Sequence, residues 1–411
     1  MTCQLEEQFC VYLHDRLIGR LHRRDDVTRF VFEQGYWNDP ARAVLGLRFE
    51  DNPSERHRSH MRLPPWFSNL LPEGRLREWI AKARGAAIER EMELLAQVGH
   101  DLPGAVRVIP ADEDEIVQVD LSGSDKPRTG RAGRSDSLWS FSLAGVGLKF
   151  SMLAQGDRMT IPAFGEGGDW IVKLPEAAYP DLPWNELAIM KLAQAVGIEA
   201  PEVRLVHRDQ VESLPERVWA GSRGYAYAVQ RFDRGPRREP IHIEDLAQVR
   251  GFYADDKYLG SFETVAALAY RGQDIEALRE FARRLAFNIL IGNGDAHLKN
   301  WSLIYRDPRI PTLAPAYDLV ATFVYCPPSE GSERMALRFG RSKRFEDVQL
   351  STFSLLDERL GAKAELGDVA RTMVDRVVAE WPRAATLLED HPDLCRRIET
   401  FIRKRAKQLV R

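Results

Sequence analysis

Cysteine is scarce: four residues in 411, at Cys3, Cys10, Cys326 and Cys395. None sits in a Cys-x-x-Cys pair and none clusters with histidine. That spacing excludes a zinc-finger-type site and a disulfide framework, and it fits a reducing cytosol. Long apolar runs are missing too. Met1 is followed by Thr2-Cys3-Gln4-Leu5-Glu6-Glu7, without a basic leader segment, so neither a signal peptide nor a membrane span is expected. Charge of one sign is absent: 58 Lys and Arg face 61 Asp and Glu, a net −3. No global field therefore draws the chain to nucleic acid or to a membrane. There is no internal repeat at a fixed period. What is present is ordinary for a folded protein, with 44% hydrophobic and 29% charged residues. The length calls for two or three structural units.

The chain divides into four stretches. In residues 1–110, Phe9, Val11 and Leu13 alternate before Asp15-Arg16, and Phe30 and Phe32 precede the turn-like Gln34-Gly35. The period of two predicts short strands, with another over Val44–Phe49. Asn69 to Lys82 carries Leu70, Leu71, Leu76, Trp79 and Ile80 at helical spacing, with Pro72 near the first turn. Residues 111–137 change abruptly in composition, from Asp112-Glu113-Asp114-Glu115 into a Gly-, Ser- and Arg-rich run. A flexible charged linker is expected there. Over 138–240 strands dominate, notably Trp170–Leu174 and Tyr225–Phe232, with one amphipathic helix from Trp184 to Val196 closed by Gly197. From 241 to 411 the pattern is mainly helical, including Glu263–Tyr270, Ile275–Ile291, Asp368–Glu380 and Asp393–Val410.

The chemistry concentrates after the apolar helix that ends at Ile291. Gly292-Asn293-Gly294-Asp295-Ala296-His297-Leu298-Lys299-Asn300 is polar where a buried helix stops. Asp295 and Asn300 are five positions apart, the Asp-to-Asn spacing of a protein-kinase catalytic loop. Phosphoryl transfer needs a carboxylate to orient the acceptor and oxygen ligands for a metal, and Asp318 in Ala316-Tyr317-Asp318-Leu319 supplies the second ligand. Alone, Asp295 reads equally as a turn residue after a helix C-cap. Upstream, Lys173 interrupts the apolar strand Ile171–Leu174, and Glu186 follows thirteen positions later in the first turn of a helix. A kinase pairs a strand lysine with a helix glutamate in this way. The plainer alternative is a lysine reaching solvent and a glutamate that suits the helix dipole. Gly145-Val146-Gly147, flanked by Ser142 and Lys149, can bring backbone N–H groups to phosphate oxygens, or can simply be a hairpin turn. His297 can donate to a phosphate or merely orient a carboxylate. The basic residues Arg396, Arg397, Arg403, Lys404, Arg405, Lys407 and Arg411 can touch DNA beside a DNA-binding partner, but the interspersed acids favour a solvated helix face.

Taken in order, these segments resemble the HipA serine/threonine kinases of bacterial toxin–antitoxin systems. The resemblance rests on Phe141–Gly145, Ile171–Pro175, Asn185-Glu186, Val229–Arg234, Gly294–Asn300 and Tyr317–Leu319, with Asn69–Gly74 and Gly99–Val106 matching the N-terminal subdomain. It covers about residues 8 to 330. It implies an α+β, two-lobed protein-kinase-like fold, with a β-rich N-terminal subdomain and a helical C-terminal lobe. It also implies ATP and Mg2+ as cofactors, with Asp295 as catalytic carboxylate and Asn300 and Asp318 as metal ligands. ATP contacts would come from Ser142, Gly145, Gly147, Lys149, Lys173, Glu186, His297 and Lys299. The adenine hinge would be Gln230 and Phe232, Asp233 would reach the ribose, and Ser142 would be autophosphorylated, with Ser140 competing and Ser151 a weaker site. Partners implied are a protein substrate such as an aminoacyl-tRNA synthetase and a helix-turn-helix antitoxin, with DNA reached only through that antitoxin and no membrane. Three departures stand out: Gly147 where a glutamine is common, Gln230 where an acid is frequent, and the long linker. Two other readings stay open, a silent co-repressor subunit and a small-molecule phosphotransferase on the same fold.

Overall fold

The computed structural model describes residues 7–85, 87–111, 148–162, 166–212, 214, 218–219, 224–326 and 334–411. The expected linker at 111–137 lies outside them but for Ala111. So do Ser140, Ser142, Gly145 and Gly147.

The first unit is an antiparallel sheet of β1 (Glu7–Leu13), β2 (Arg16–Arg24), β3 (Val27–Phe32), β4 (Arg58–His60) and β5 (Val106–Pro110), in the order β4-β3-β2-β1-β5. Phe9, Val11, Leu13, Ile18, Leu21 and Phe30 fill its inner face. Val44–Phe49 is not a strand as its alternation predicts. A short helix, Leu47–Asp51, begins there instead. The reason is tertiary: the Leu47 N–H, an orphan donor at a helix start, is taken by the buried Glu244 Oε1 at 2.9 Å. Gly46 lies so close to Trp66 and Glu244 that a Cβ would come within 2.7 Å of both. The expected helix over Asn69–Lys82 is likewise two, Pro65–Ser68 and Gly74–Arg84. Pro72 lacks an N–H and disfavours helix at Leu71, so the chain breaks there.

The second sheet contains β6 (Lys149–Gln155), β7 (Arg158–Thr160), β8 (Trp170–Lys173), β9 (Val203–His207) and β10 (Tyr225–Gln230), ordered β7-β6-β8-β10-β9. Its inward side chains Phe150, Met152, Val172, Ala226 and Ala228 join the core of the first sheet, so the two β units share one apolar cluster. The helix Leu182–Ala195 packs instead into the helical lobe, against the core built around the helices Ile275–Ile291 and Leu366–Ala385. Between the sheets and the helices lies a small sheet, β11 (His242–Asp245), β12 (Ser302–Tyr305) and β13 (Thr312–Leu313). The hairpin β14 (Arg334–Phe339) and β15 (Ser342–Arg344), followed by the helix Leu350–Leu360, has no counterpart in the sequence reading.

Two buried polar knots join these units. Glu244 on β11 accepts from Leu47 N–H, from Trp66 Nε1 at 3.1 Å and from Tyr305 Oη at 2.6 Å. Burial pushes its carboxyl up to about 7 despite those donors. The second knot is Arg231, whose side chain is fully enclosed. It donates to Asp101 Oδ1 at 2.6 Å, to both oxygens of Asp233 at 2.9 and 2.8 Å, to Ser151 Oγ at 3.1 Å and to Leu102 O at 3.0 Å. It ties the first unit to the end of β10. Replacing it leaves two buried carboxylates sharing one remaining cation, Arg234, and breaking such a set costs roughly 3–5 kcal/mol. Arg231→Ala is therefore expected to lower stability by that amount in urea denaturation. A loss below about 1 kcal/mol would show that the knot carries little of the fold's stability.

Candidate active site

The helix Ile275–Ile291 stops because Gly292 takes a left-handed φ of 67°, and a Cβ there would meet Phe323 and Phe401 within 2.9 Å. Three side chains then shape the loop. Asn293 Nδ2 donates to Asn288 Oδ1 at 2.7 Å, and Asn293 Oδ1 accepts the Asp295 N–H at 3.0 Å. Gly294 N–H donates to Thr322 Oγ1 at 2.7 Å. Asn300 Nδ2 reaches back to the Asp295 carbonyl at 2.8 Å, so its Oδ1 is the atom that would serve as a ligand. Asp295 itself is turned outward, its side chain 48% exposed. Its Oδ1 accepts from Tyr258 Oη at 2.6 Å, and its Oδ2 lies 3.9 Å from His297 Nε2. Burial lowers the His297 pKa, although the Asp295 charge opposes this, so the ring is neutral at neutral pH. Its buried Nδ1 has no hydrogen-bond partner among the described residues.

Lys173 stands at the centre. It is on β8, the middle strand of its sheet, and its ammonium bonds Glu186 Oε1 at 2.8 Å and Asp318 Oδ1 at closer range. Burial alone would lower its pKa, but Asp318 and Glu186 overcome this and hold the ammonium well above the usual lysine range. Burial would likewise raise the Asp318 carboxyl, yet Lys173 and then Lys149 keep it far below the usual range and ionised. For Glu186 burial wins over Lys173, and its pKa is raised. Asp318 adopts a left-handed φ of 59°, a conformation that costs an L-residue about 1 kcal/mol or more. The strain is held by the next turn, where Asn185 both donates to Ala321 O and accepts from Ala321 N–H, each at 3.1 Å. Asn300 and Asp318 line one small cavity with Asn293, Arg284 and Tyr317.

The other predicted residues divide. Lys149 opens β6 directly across from Lys173, and burial lowers its pKa. Gln230 ends β10 with its N–H donated to Glu202 O at 2.9 Å, so only its carbonyl is left for a hinge. The Phe232 ring packs at 5.5 Å on Tyr317, beside Asp318. Asp233 is a correction. It is buried, and both oxygens are filled by Arg231, Arg234 and the Gly104 N–H, so it is a structural carboxylate and not one free for a ribose. Lys299 is a second correction. Its buried ammonium bonds Asn69 O at 3.1 Å, Asn69 Oδ1 at 2.9 Å and Asp245 Oδ2 at 2.9 Å, facing the first unit and not a phosphate. Ser151 is fully buried on Arg231, which removes it as an accessible acceptor. Sequence reasoning gave no role to Asn185, Asn293, Glu73 or Tyr258. Asn185, Asn293 and Glu73 lie in or beside the motifs and were legible as neighbours, whereas Tyr258 arrives only by folding.

Residues 141–381 match the HipA-like C-terminal domain and residues 9–109 the HipA N-terminal domain. The chain belongs to the HipA family. Within it, the chain is 42% identical over 371 residues to a Sinorhizobium fredii protein named "Putative kinase Y4dM", covering 87% of each. It is 26% identical over 355 residues to the serine/threonine-protein kinase toxin HipA of Shewanella oneidensis, covering 77% of this chain and 75% of the other. The solved complex of Shewanella oneidensis HipA, HipB and operator DNA superposes with a TM-score of 0.75 at 21% identity, over 98% of this chain and 97% of that one. The fold is thus the two-lobed, kinase-like HipA fold.

The residues suit a nucleotide and magnesium. One carboxylate and one amide oxygen on a shared cavity match an ion that keeps water and phosphate oxygens as its other ligands. No group of three or more His, Cys, Asp or Glu able to cage a metal exists among the described residues. A charged lysine beside that cavity provides for phosphate. Lys173→Met is expected to weaken Mg·ATP binding roughly 10- to 100-fold, the worth of one charge-assisted contact. Isothermal calorimetry measures it, and an unchanged affinity would remove Lys173 from the site.

Proposed function

We propose that this HipA-family chain is an ATP- and magnesium-dependent serine/threonine-protein kinase and the toxin of a toxin–antitoxin pair. The observation that carries the reading is the meeting of Lys173, Glu186 and Asp318 from three separate segments, beside a cavity shared by Asp318 and Asn300. Asp295, outward-facing on the adjoining loop, orients the acceptor hydroxyl and takes its proton. Asn300 and Asp318 hold magnesium, which would neutralise charge on the transferred phosphoryl group. Lys173 adds a fixed cation, and its permanent protonation is what the flanking carboxylates secure. The Gln230 carbonyl and the Phe232 amide serve as the adenine hinge. A silent co-repressor would not need the strained Asp318 kept ionised next to Lys173, which is why the catalytic reading is preferred.

By analogy with the Shewanella complex of HipA with HipB and operator DNA, the partner is a DNA-binding antitoxin, with DNA reached through it. The substrate class is a serine or threonine on a translation component such as an aminoacyl-tRNA synthetase. Incubation with labelled ATP and a cell lysate, followed by identification of the labelled protein, tests this directly. Asp295→Asn and Asp318→Asn are each expected to cut transfer by about 10³-fold or more, with a melting curve close to the parent's for the outward-facing Asp295→Asn. Near-parental labelling by either variant would strip that residue of its role. On the resemblance to the HipA kinases, Ser142 is proposed as the autophosphorylation site, where a phosphoryl group of about −1.5 to −2 charges would oppose the binding of ATP phosphates. Mass spectrometry should find phosphate on Ser142 in the parent and none in Asp295→Asn. Phosphate on Ser142 of the inactive variant would refute self-modification.

A further inference from the structure

Tyr258 follows the short helical turn Ala254–Asp256, and its backbone is fixed on two sides. The Lys257 carbonyl accepts the Leu298 N–H of the catalytic loop at 3.1 Å. The Lys257 ammonium pairs with Glu73 of the first unit at 2.9 Å. The Tyr258 side chain, by contrast, is 42% exposed, and its neighbours Leu259 and Gly260 face open solvent. Its ring stands edge-on to His297 at 5.1 Å, and its hydroxyl donates to Asp295 Oδ1 at 2.6 Å. The backbone therefore has reason to stay, while the half-exposed phenol has solvent to turn into, giving up its contacts with Asp295, His297 and the Lys257 ammonium 5.6 Å from its ring.

A kinase aspartate works by accepting a hydrogen bond from the hydroxyl that will attack. On Asp295 that position is filled by a phenol, and the second carboxylate oxygen is turned toward His297. An acceptor that approaches Oδ1 along the direction the phenol now takes must displace the tyrosine. We infer that the acceptor-hydroxyl subsite is the space Tyr258 now fills between Asp295 and the His297 ring, and that an aliphatic alcohol, or water, enters by displacing it. This rests on the kinase reading above. The exchange is one hydrogen bond for another, with no covalent change to the tyrosine. The opposing role, a tyrosine that holds Asp295 in its working rotamer, predicts the reverse effect on rate.

The test uses the full chain with Mg·ATP alone and water as acceptor. Tyr258→Phe removes only the hydroxyl, at a half-exposed position where the ring can stay. Its hydrolysis rate at saturating Mg·ATP should rise roughly 10- to 100-fold, the worth of one hydrogen bond to a charged group. The KM for Mg·ATP should not move, and Asp295→Asn added to Tyr258→Phe should erase the gain. A rate equal to or below the parent's overturns the inference, as does mass-spectrometric phosphate on Tyr258, which would make it an acceptor itself. Calorimetry separates the two levels. A parent that fails to bind Mg·ATP sinks the kinase reading, whereas binding without a faster Tyr258→Phe sinks only this one. A readout free of turnover is 3-fluorotyrosine in place of Tyr258. Its fluorine resonance should shift in Asp295→Asn, and an unmoved resonance overturns the contact.

Discussion

An ammonium in the middle strand of a sheet needs anionic partners, and at Lys173 two carboxylates meet that need from different parts of the chain. Glu186 comes from the helix Leu182–Ala195, which packs with the helical lobe, and Asp318 comes from the segment after β13. The pairing therefore fixes how the second sheet sits against the helices. It also keeps Asp318 ionised in a backbone conformation that an L-residue adopts only at a cost. Asn185, one position before Glu186, grips the Asp318 segment by the Ala321 backbone. Remove the lysine, and the buried Glu186 and the partly buried Asp318 repel each other where the lobes meet.

The first unit reaches the same site by a different route. Lys299 and Lys257, both next to catalytic-loop residues, have their ammonium groups buried among Asn69, Glu73 and Asp245. The HipA N-terminal domain is thus part of what holds Asp295 in place, which gives it a mechanical connection to the chemistry. Arg231 makes a second connection, between Asp101 of the first unit and the end of β10, where the adenine hinge is proposed. The shared core of the two sheets supports both links.

The corrections have one cause. Asp233 and Lys299 stand in motifs whose neighbours serve the site, and adjacency in sequence suggested that they serve it too. Which side of the backbone a side chain takes is set by what comes to meet it. Arg231 folds back onto Asp233 two residues away, and Asn69 approaches Lys299 from 230 positions upstream. The helix at Leu47–Asp51 belongs with them. Its alternating apolar residues suit a strand, but a distant glutamate claims the first N–H.

The amino-acid sequence by itself determined the long helices, whose apolar spacing and glycine stops mark their ends, as at Ile275–Ile291 before Gly292. It also pointed to Lys173, Asp295, Asn300 and Asp318, the set proposed as catalytic, because phosphoryl transfer would demand those residue types in that order. Only the tertiary structure decided which charges face the site and which are spent on holding it. Buried ions take the nearest opposite charge in space, and that distance is not written in the order of the chain. Tyr258 shows the point most clearly. Nothing in Lys257-Tyr258-Leu259 marks it, yet folding sets its hydroxyl on Asp295.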